Sequence, residues 1–227
     1  MNTITSEEFE NYYGINLLPY STSNTQIGEL MHKKGIFSKT LEYDNESILD
    51  AISLDSSKRT NLNNSLKSIE LSDAQFPNIK INNNFSNNET IKVPIIGLDL
   101  SSIFSNKHQF NFTLTNVKAK TLQGELEFNI RELLEHSEKA SQTIKNKYLI
   151  TQLFYAEKID LNTTHDIEED LQASVNGLKN KNINLSSKTN SDGSNTYTFS
   201  GVDNSPFAAH LIKVKNWVTF EKTASIF

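Results

Sequence analysis

Tyr148-Leu-Ile-Thr-Gln-Leu-Phe-Tyr-Ala156 is a near-continuous apolar run, and it reads as a strand set between an amphipathic helix and a polar, asparagine-rich tract. Immediately upstream, Gly124 to Asn146 carries Leu126, Ile130, Leu133, Leu134, Ser137 and Ala140 on one stripe. Glu125, Glu127, Glu132, Glu135 and Glu138 lie mostly away from it, so the spacing predicts one long helix. Downstream, Thr163-Thr-His-Asp-Ile-Glu-Glu-Asp170 combines hydroxyls and carboxylates suited to the positive end of a helix. Ile167, Leu171 and Val175, four residues apart, form that helix's inner edge. Three further strands are predicted at Asn182 to Lys188, Thr196 to Gly201 and Phe207 to Lys215, the first two joined by a turn at Asp192-Gly193.

Towards the N-terminus, His108 to Thr115 alternates strictly. Phe110, Phe112 and Leu114 fall on one face and Asn111, Thr113 and Thr115 on the other. The alternation slips at Asn116 and Val117 as a bulge would make it do, and the strand continues to Leu122. Ile79 and Ile81, then Ile91 and Val93, predict two shorter strands separated by asparagine-rich turn material. At the front, Thr5-Ser-Glu-Glu8 has capping-box spacing, and a helix carrying Phe9, Tyr12 and Tyr13 follows until Gly14. Ile15 to Leu18 reads as a strand stopped by Pro19. Ile27, Leu30 and Met31 fall at helical spacing, which predicts a helix from Thr25 to Gly35 and an extended segment from Ile36 to Tyr43. A further helix is expected over Ser47 to Leu54, burying Ile48, Leu49 and Ile52. In Ser56 to Asp73, Leu62, Leu66 and Ile69 fit a helix but the interleaved asparagines fit neither state. The residues thus describe an α+β protein of one expected domain.

At 227 residues, 36% hydrophobic and 22% charged, the chain can bury a sizeable core. It has no cysteine, which removes disulfides, thiolate nucleophiles and cysteine-ligated zinc. No stretch approaches the roughly 20 apolar residues of a membrane-spanning helix, and Met1 to Tyr20 lacks signal-peptide features, so a cytoplasmic location is expected. The net charge of −5 sits at the front, where Met1 to Ser57 holds three lysines against nine acidic residues. Without a basic run or an RNA-binding aromatic signature, nucleic acid is not an expected partner.

Reactive constellations are missing. His32, His108, His136, His165 and His210 show no HExxH or HxH spacing, and the eight glycines form no phosphate-binding loop. Asp166, Glu168, Glu169 and Asp170 read as a solvated helix N-terminus rather than a metal site. No catalytic residue, metal or cofactor is expected, and the sequence points away from an enzyme.

Taken in order, the elements resemble the gasdermin family, in particular the compact gasdermin-like proteins of bacteria and fungi. The resemblance is carried by Ile15-Asn-Leu-Leu-Pro19 after the first helix, Gln109-Phe-Asn-Phe-Thr-Leu-Thr-Asn-Val117 and Glu125 to Leu134. It continues through Lys147-Tyr-Leu-Ile-Thr-Gln-Leu153 to Phe207-Ala-Ala-His-Leu-Ile212. It implies a twisted, mainly antiparallel sheet with surrounding helices over residues 1–215. The implied function is a latent protein that is cytoplasmic until released, then oligomerises in a membrane as a large β-barrel and causes lytic cell death or defence. Phe110, Phe112 and Leu114 would then lie on a membrane strand, whose polar and apolar residues alternate without a hydropathy peak.

Lys33, Lys34, Ile36, Phe37 and Lys39 combine charge with apolar residues able to meet an anionic lipid surface, each lysine there contributing about 1 kcal/mol. Residues 216–227, carrying Trp217, Val218, Phe220, Ile226 and Phe227, form a short apolar tail expected to pack on the sheet and restrain the protein. The expected partners are membrane lipids, further copies of the chain, and an activating protease or partner chain, with cleavage expected near Lys213, Lys215 or Lys222. Bacterial members often carry a lipid-modified cysteine near the N-terminus, which this chain lacks. The alternative reading is a soluble protein-binding or immunity-type module with no membrane activity.

Overall fold

The chain folds as an α+β protein built on mainly antiparallel sheet. The computed structural model describes residues 3–4, 14–18, 25–33, 41–74, 80–83, 92–93, 98–99, 110–137, 144–177, 183–201 and 206–218. It contains two compact units: Met1–Asn24, Ser72–Ala119 and Phe154–Ala208 form the first, and Thr25–Leu71, Lys120–Leu153 and Ala209–Phe227 the second. The predicted first helix, with Phe9, Tyr12 and Tyr13, lies outside the described residues.

In the first unit, β1 (Thr3–Ile4) runs parallel to β6 (Lys80–Asn83), which pairs antiparallel with β9 (Phe110–Thr121). Next in the sheet come β10 (Tyr148–Thr163), β12 (Asn195–Ser200) and β11 (Asn184–Thr189). Of the short strands, β2 (Ile15–Leu17) leads to Leu18, whose N–H donates to the Phe207 carbonyl, and β5 (Ser72–Asp73) pairs with β9. A separate ladder joins β7 (Lys92–Val93) to β8 (Leu98–Asp99). The slip in β9 is real: Leu114 and Ala119 are both buried although they lie at odd spacing, and Asn116 between them has φ +51°. Only a residue that tolerates left-handed backbone fits there, and asparagine is one.

β10 explains its own composition. Leu153 to Ala156 are buried at every position, as in a strand covered on both faces, whereas Ile159 and Leu161 alternate with Asp160 and Asn162 towards its end. A helix over Glu168–Gly177 inserts Ile167, Leu171 and Val175 into this unit, as the spacing predicts. Its first turn is fixed by Tyr197, whose buried hydroxyl accepts the Ile167 N–H at 2.9 Å and faces Asp166 Oδ1 at 3.1 Å. Tyr197→Phe leaves that N–H unsatisfied in the core, so chemical denaturation should show a loss of about 1–3 kcal/mol.

In the second unit, β3 (Glu29–Lys33) pairs antiparallel with the start of β10 and with β4 (Leu41–Ser47). The helix predicted over Thr25 to Gly35 does not form where described: residues 25–28 are coil and turn, and Glu29–Lys33 is a strand. Gly28 breaks any helix with φ +91°, and its N–H donates to the Ile150 carbonyl. Leu30 and Met31 are both fully buried because β3 is flanked on either side and its register with β4 shifts between Glu29 and Met31. Such a shift lets neighbouring residues share the interior.

Among the described residues, helices of four to twelve residues occur in both units. The expected Ser47 to Leu54 helix is a single turn, α1 (Ile48–Ala51), with Ile48, Leu49 and Ile52 all buried. Asp50 Oδ2 accepts both the N–H and the hydroxyl of Ser47 at 2.9 Å. α2 (Ser56–Lys67) settles the ambiguous stretch: Asp55 caps it by accepting the Lys58 N–H, and Leu66 is its buried residue. α3 (Gly124–Glu135) is shorter than predicted. The His136 N–H completes the last helical bond to the Glu132 carbonyl, the His136 ring Nδ1–H also reaches that carbonyl, and the Ser137 N–H tightens to the Leu134 carbonyl, which ends the helix. The Glu168–Gly177 helix is α4. β13 (Ala208–Lys213) follows the predicted strand, except that residues 214–218 form a helical turn.

Candidate functional site

Two of the three groups of predicted residues lie partly within the described structure of the second unit. The first is the β3–β4 hairpin. Its register pairs His32 with Glu42 and Lys33 with Leu41, so Lys33 ends β3 as an exposed cation. Lys34, Ile36, Phe37 and Lys39 lie outside the described residues.

The hairpin's base is tied to β10 by Lys147. The Lys147 ammonium contacts Asp44 Oδ2 and lies 2.8 Å from Glu46 Oε2, and His32 Nδ1 stands 3.3 Å from Asp44 Oδ1. Burial works against the charge on Lys147, but the two carboxylates outweigh it and hold the ammonium above its usual pKa. A raised folded pKa gives stability that is present in full below the unfolded lysine value and is lost as the solution becomes alkaline through the folded one. Lys147→Met should cost roughly 1–2 kcal/mol at neutral pH, because the pair is only partly exposed and Asp44 would be left uncompensated. Hydrogen exchange should speed up in residues 41–47, and the gap to the parent should close in alkaline melts.

The second group is the start of the predicted tail. Trp217 is 1% exposed and packs against α3. Its indole N–H donates to Glu127 Oε1 at 3.3 Å, and the Arg131 guanidinium lies 4.8 Å from the ring centroid. Arg131 also pairs with Glu127 at 2.6 Å, so one helix turn offers an anion to the indole edge and a cation to its face. Val214, buried, donates its N–H to the Lys147 carbonyl, and Lys215 donates to the Lys145 carbonyl. Val218 is half-buried. Phe220, Ile226, Phe227 and Lys222 lie outside the described residues.

Sequence reasoning missed the roles of Glu127 and Arg131. Their i,i+4 spacing with opposite charge was the available signal.

Of the membrane-strand candidates, Leu114 is buried in the first unit. The backbone of Phe110 and Phe112 pairs with Asn83 and Ile81 of β6. On β13, His210 Nδ1 lies 2.9 Å from the Thr151 hydroxyl, which also reaches the His210 carbonyl, and burial lowers the imidazole's pKa. A depressed folded pKa means that stability is full above the unfolded histidine value and is lost as pH falls through the folded one. Melting temperature should drop on acidification, and His210→Gln should flatten that slope.

Asp166, Glu168, Glu169 and Asp170 are all exposed at the start of α4. Among the described residues no three His, Asp or Glu side chains are placed to hold a metal ion, and no helix is long and apolar enough to cross a membrane.

No protein-family model matches the chain, and no curated protein does. Among solved structures, a bacterial gasdermin from Bradyrhizobium tropiciagri is similar at 16% identity and a TM-score of 0.48, over 89% of this chain and 82% of that one. A likeness of that size identifies neither a family nor an activity.

Proposed function

We propose that the chain is a latent pore-forming protein that oligomerises in membranes as a large β-barrel, for lytic cell death or defence, and is held inactive by its C-terminal segment. The observation that carries the reading is the two-faced ladder of β10 and β12. On one face Ile159 pairs with Phe199 and Leu161 with Tyr197, all buried. On the other face Thr198 donates to Asp160 and Thr196 to Asn162, each at 2.6 Å. Such paired apolar and polar rows are what a barrel wall needs towards lipid and lumen.

Strand length supports the same reading. β9 has 12 residues and β10 has 16, against the roughly 9–11 required to cross a bilayer. The ordered resemblance of the sequence elements to gasdermins supplies the choice among pore-formers. Lys33 with Lys34, Ile36, Phe37 and Lys39 would make first contact with anionic lipid, and Trp217 with Val218 would anchor a restraint formed by Phe220, Ile226 and Phe227.

The test is electron microscopy of phosphatidylserine vesicles incubated with the chain before and after limited proteolysis. The proposal expects ring-shaped oligomers only after cleavage. Monodisperse protein that never associates with vesicles, intact or cleaved, would refute it and turn attention to a stoichiometric protein partner.

A further inference from the structure

Between α2 and α3, within the second unit, lies an open cleft of about 440 Å³. That volume falls in the range of small-molecule sites, about 300–1,000 Å³. Its floor is Leu62 of α2 and Leu133 of α3, both half-buried. On each helix the lining residues recur at i, i+3 and i+4, the ridge by which helices ordinarily pack against each other. Here the leucines of the two ridges stay partly uncovered. Polar groups stand around them instead: Lys58 and Asn61 from α2, and Asn129, Glu132 and His136 from α3.

The rim has a definite polarity. Lys58 sits in the first turn of α2, at the positive end of that helix, whereas Glu132 and His136 sit at the negative end of α3. Lys58 stands on α2 and Glu132 on α3, so the cleft presents a cation and an anion from opposite helices around an apolar floor. His136 donates its Nδ1–H to the Glu132 carbonyl at 2.8 Å, since a carbonyl can only accept. With Nδ1 carrying the proton, the other ring nitrogen offers an acceptor from the same helix as Glu132.

A purely anionic ligand would leave Glu132 facing it, a purely cationic one would leave Lys58, and an apolar one would strip water from both. We infer that the cleft binds a short zwitterion with an aliphatic middle, namely a free aliphatic amino acid or a dipeptide of such residues. The ligand's carboxylate meets Lys58, its ammonium meets Glu132 and the His136 acceptor, and its side chain covers Leu62 and Leu133. The carboxamides of Asn61 and Asn129 serve the peptide group of a dipeptide. This site is independent of membrane activity, because none of these residues takes part in the proposed restraint or lipid contact.

The test is a titration of the full chain with leucyl-leucine, followed by isothermal calorimetry and by amide NMR shifts in α2 and α3. The same dipeptide blocked by N-acetylation and C-amidation serves as the comparison. Saturable binding is expected, weakened about tenfold or more by blocking both ends and by either Lys58→Ala or Glu132→Gln. Both substitutions are on exposed side chains, and a melting curve for each variant confirms that it folds. The inference is overturned if no saturable binding is seen up to about 10 mM. It is equally overturned if the blocked dipeptide binds as well as the free one, or if folded variants keep the parent affinity.

Discussion

Trp217→Ala is expected to lower the unfolding free energy by about 3–5 kcal/mol, the usual range for emptying a buried large aromatic site. The indole is 1% exposed, so nearly its whole area returns to water in the unfolded chain. The Glu127 carboxylate and the Arg131 guanidinium keep their mutual ion pair but lose their contacts to the indole, the cation–ring contact being worth about 0.5–2 kcal/mol by itself. Urea denaturation followed by circular dichroism measures the loss, and Trp217→Phe should recover part of it by refilling the cavity without the N–H donor. The consequence for function is practical. A cut after Lys215 removes Trp217 and destabilises the second unit, so leakage from such a truncation could reflect unfolding as readily as release. A cut after Val218 keeps the indole in place and isolates the effect of the last nine residues.

Gly28→Val is the second large effect, expected at about 2–5 kcal/mol. Left-handed backbone costs a branched L-residue roughly 1–2 kcal/mol, and Gly28 has φ +91°. Its backbone cannot relax freely, because its N–H is bonded to the Ile150 carbonyl and its own carbonyl accepts the Ile48 N–H at 2.7 Å. A Cβ there would stand 3.0 Å from Leu66 Cδ1 and 3.5 Å from Ile48 Cγ2, so the added methyls overpack a filled site at a further cost of about 1–3 kcal/mol. Gly28→Ala should cost less than the valine variant, since the end of the Leu66 side chain can shift. Thermal melts of both variants test the order, and equal melting temperatures for valine and glycine would contradict the packing described.

Local pattern was enough for elements whose partners follow closely in sequence. The β11–β12 hairpin is one: Asp192-Gly193 supplies the turn, Gly193 has φ +81°, and the Asn190 N–H closes on the Ser194 carbonyl. α4 is another, since a hydroxyl-and-carboxylate start and three residues four apart leave one solution. Where distant partners decide, the pattern misled. Ile27, Leu30 and Met31 suit a helix, yet β3 is a strand because β10, more than a hundred residues later, and β4 flank it on both edges. The apolar stripe of α3 runs on to Ala140, and no residue pattern announces that the Ser137 N–H turns to the Leu134 carbonyl and ends the helix at Glu135.

The candidate sites were legible only as composition. The lysines and apolar residues around Lys33 are visible in the sequence, as is Trp217 near the C-terminus. The contacts that give them meaning span long separations, 101 residues for Lys147 with Glu46 and 90 for Trp217 with Glu127. No window of local sequence reaches that far.

Dye release from vesicles with and without phosphatidylserine, comparing the intact chain with one ending at Val218, measures the restraint most directly. No leakage is expected from the intact chain, and rapid leakage from the shortened one that increases with phosphatidylserine content. If the shortened chain melts like the intact one and neither releases dye from any vesicle, the chain is not a tail-restrained pore-former.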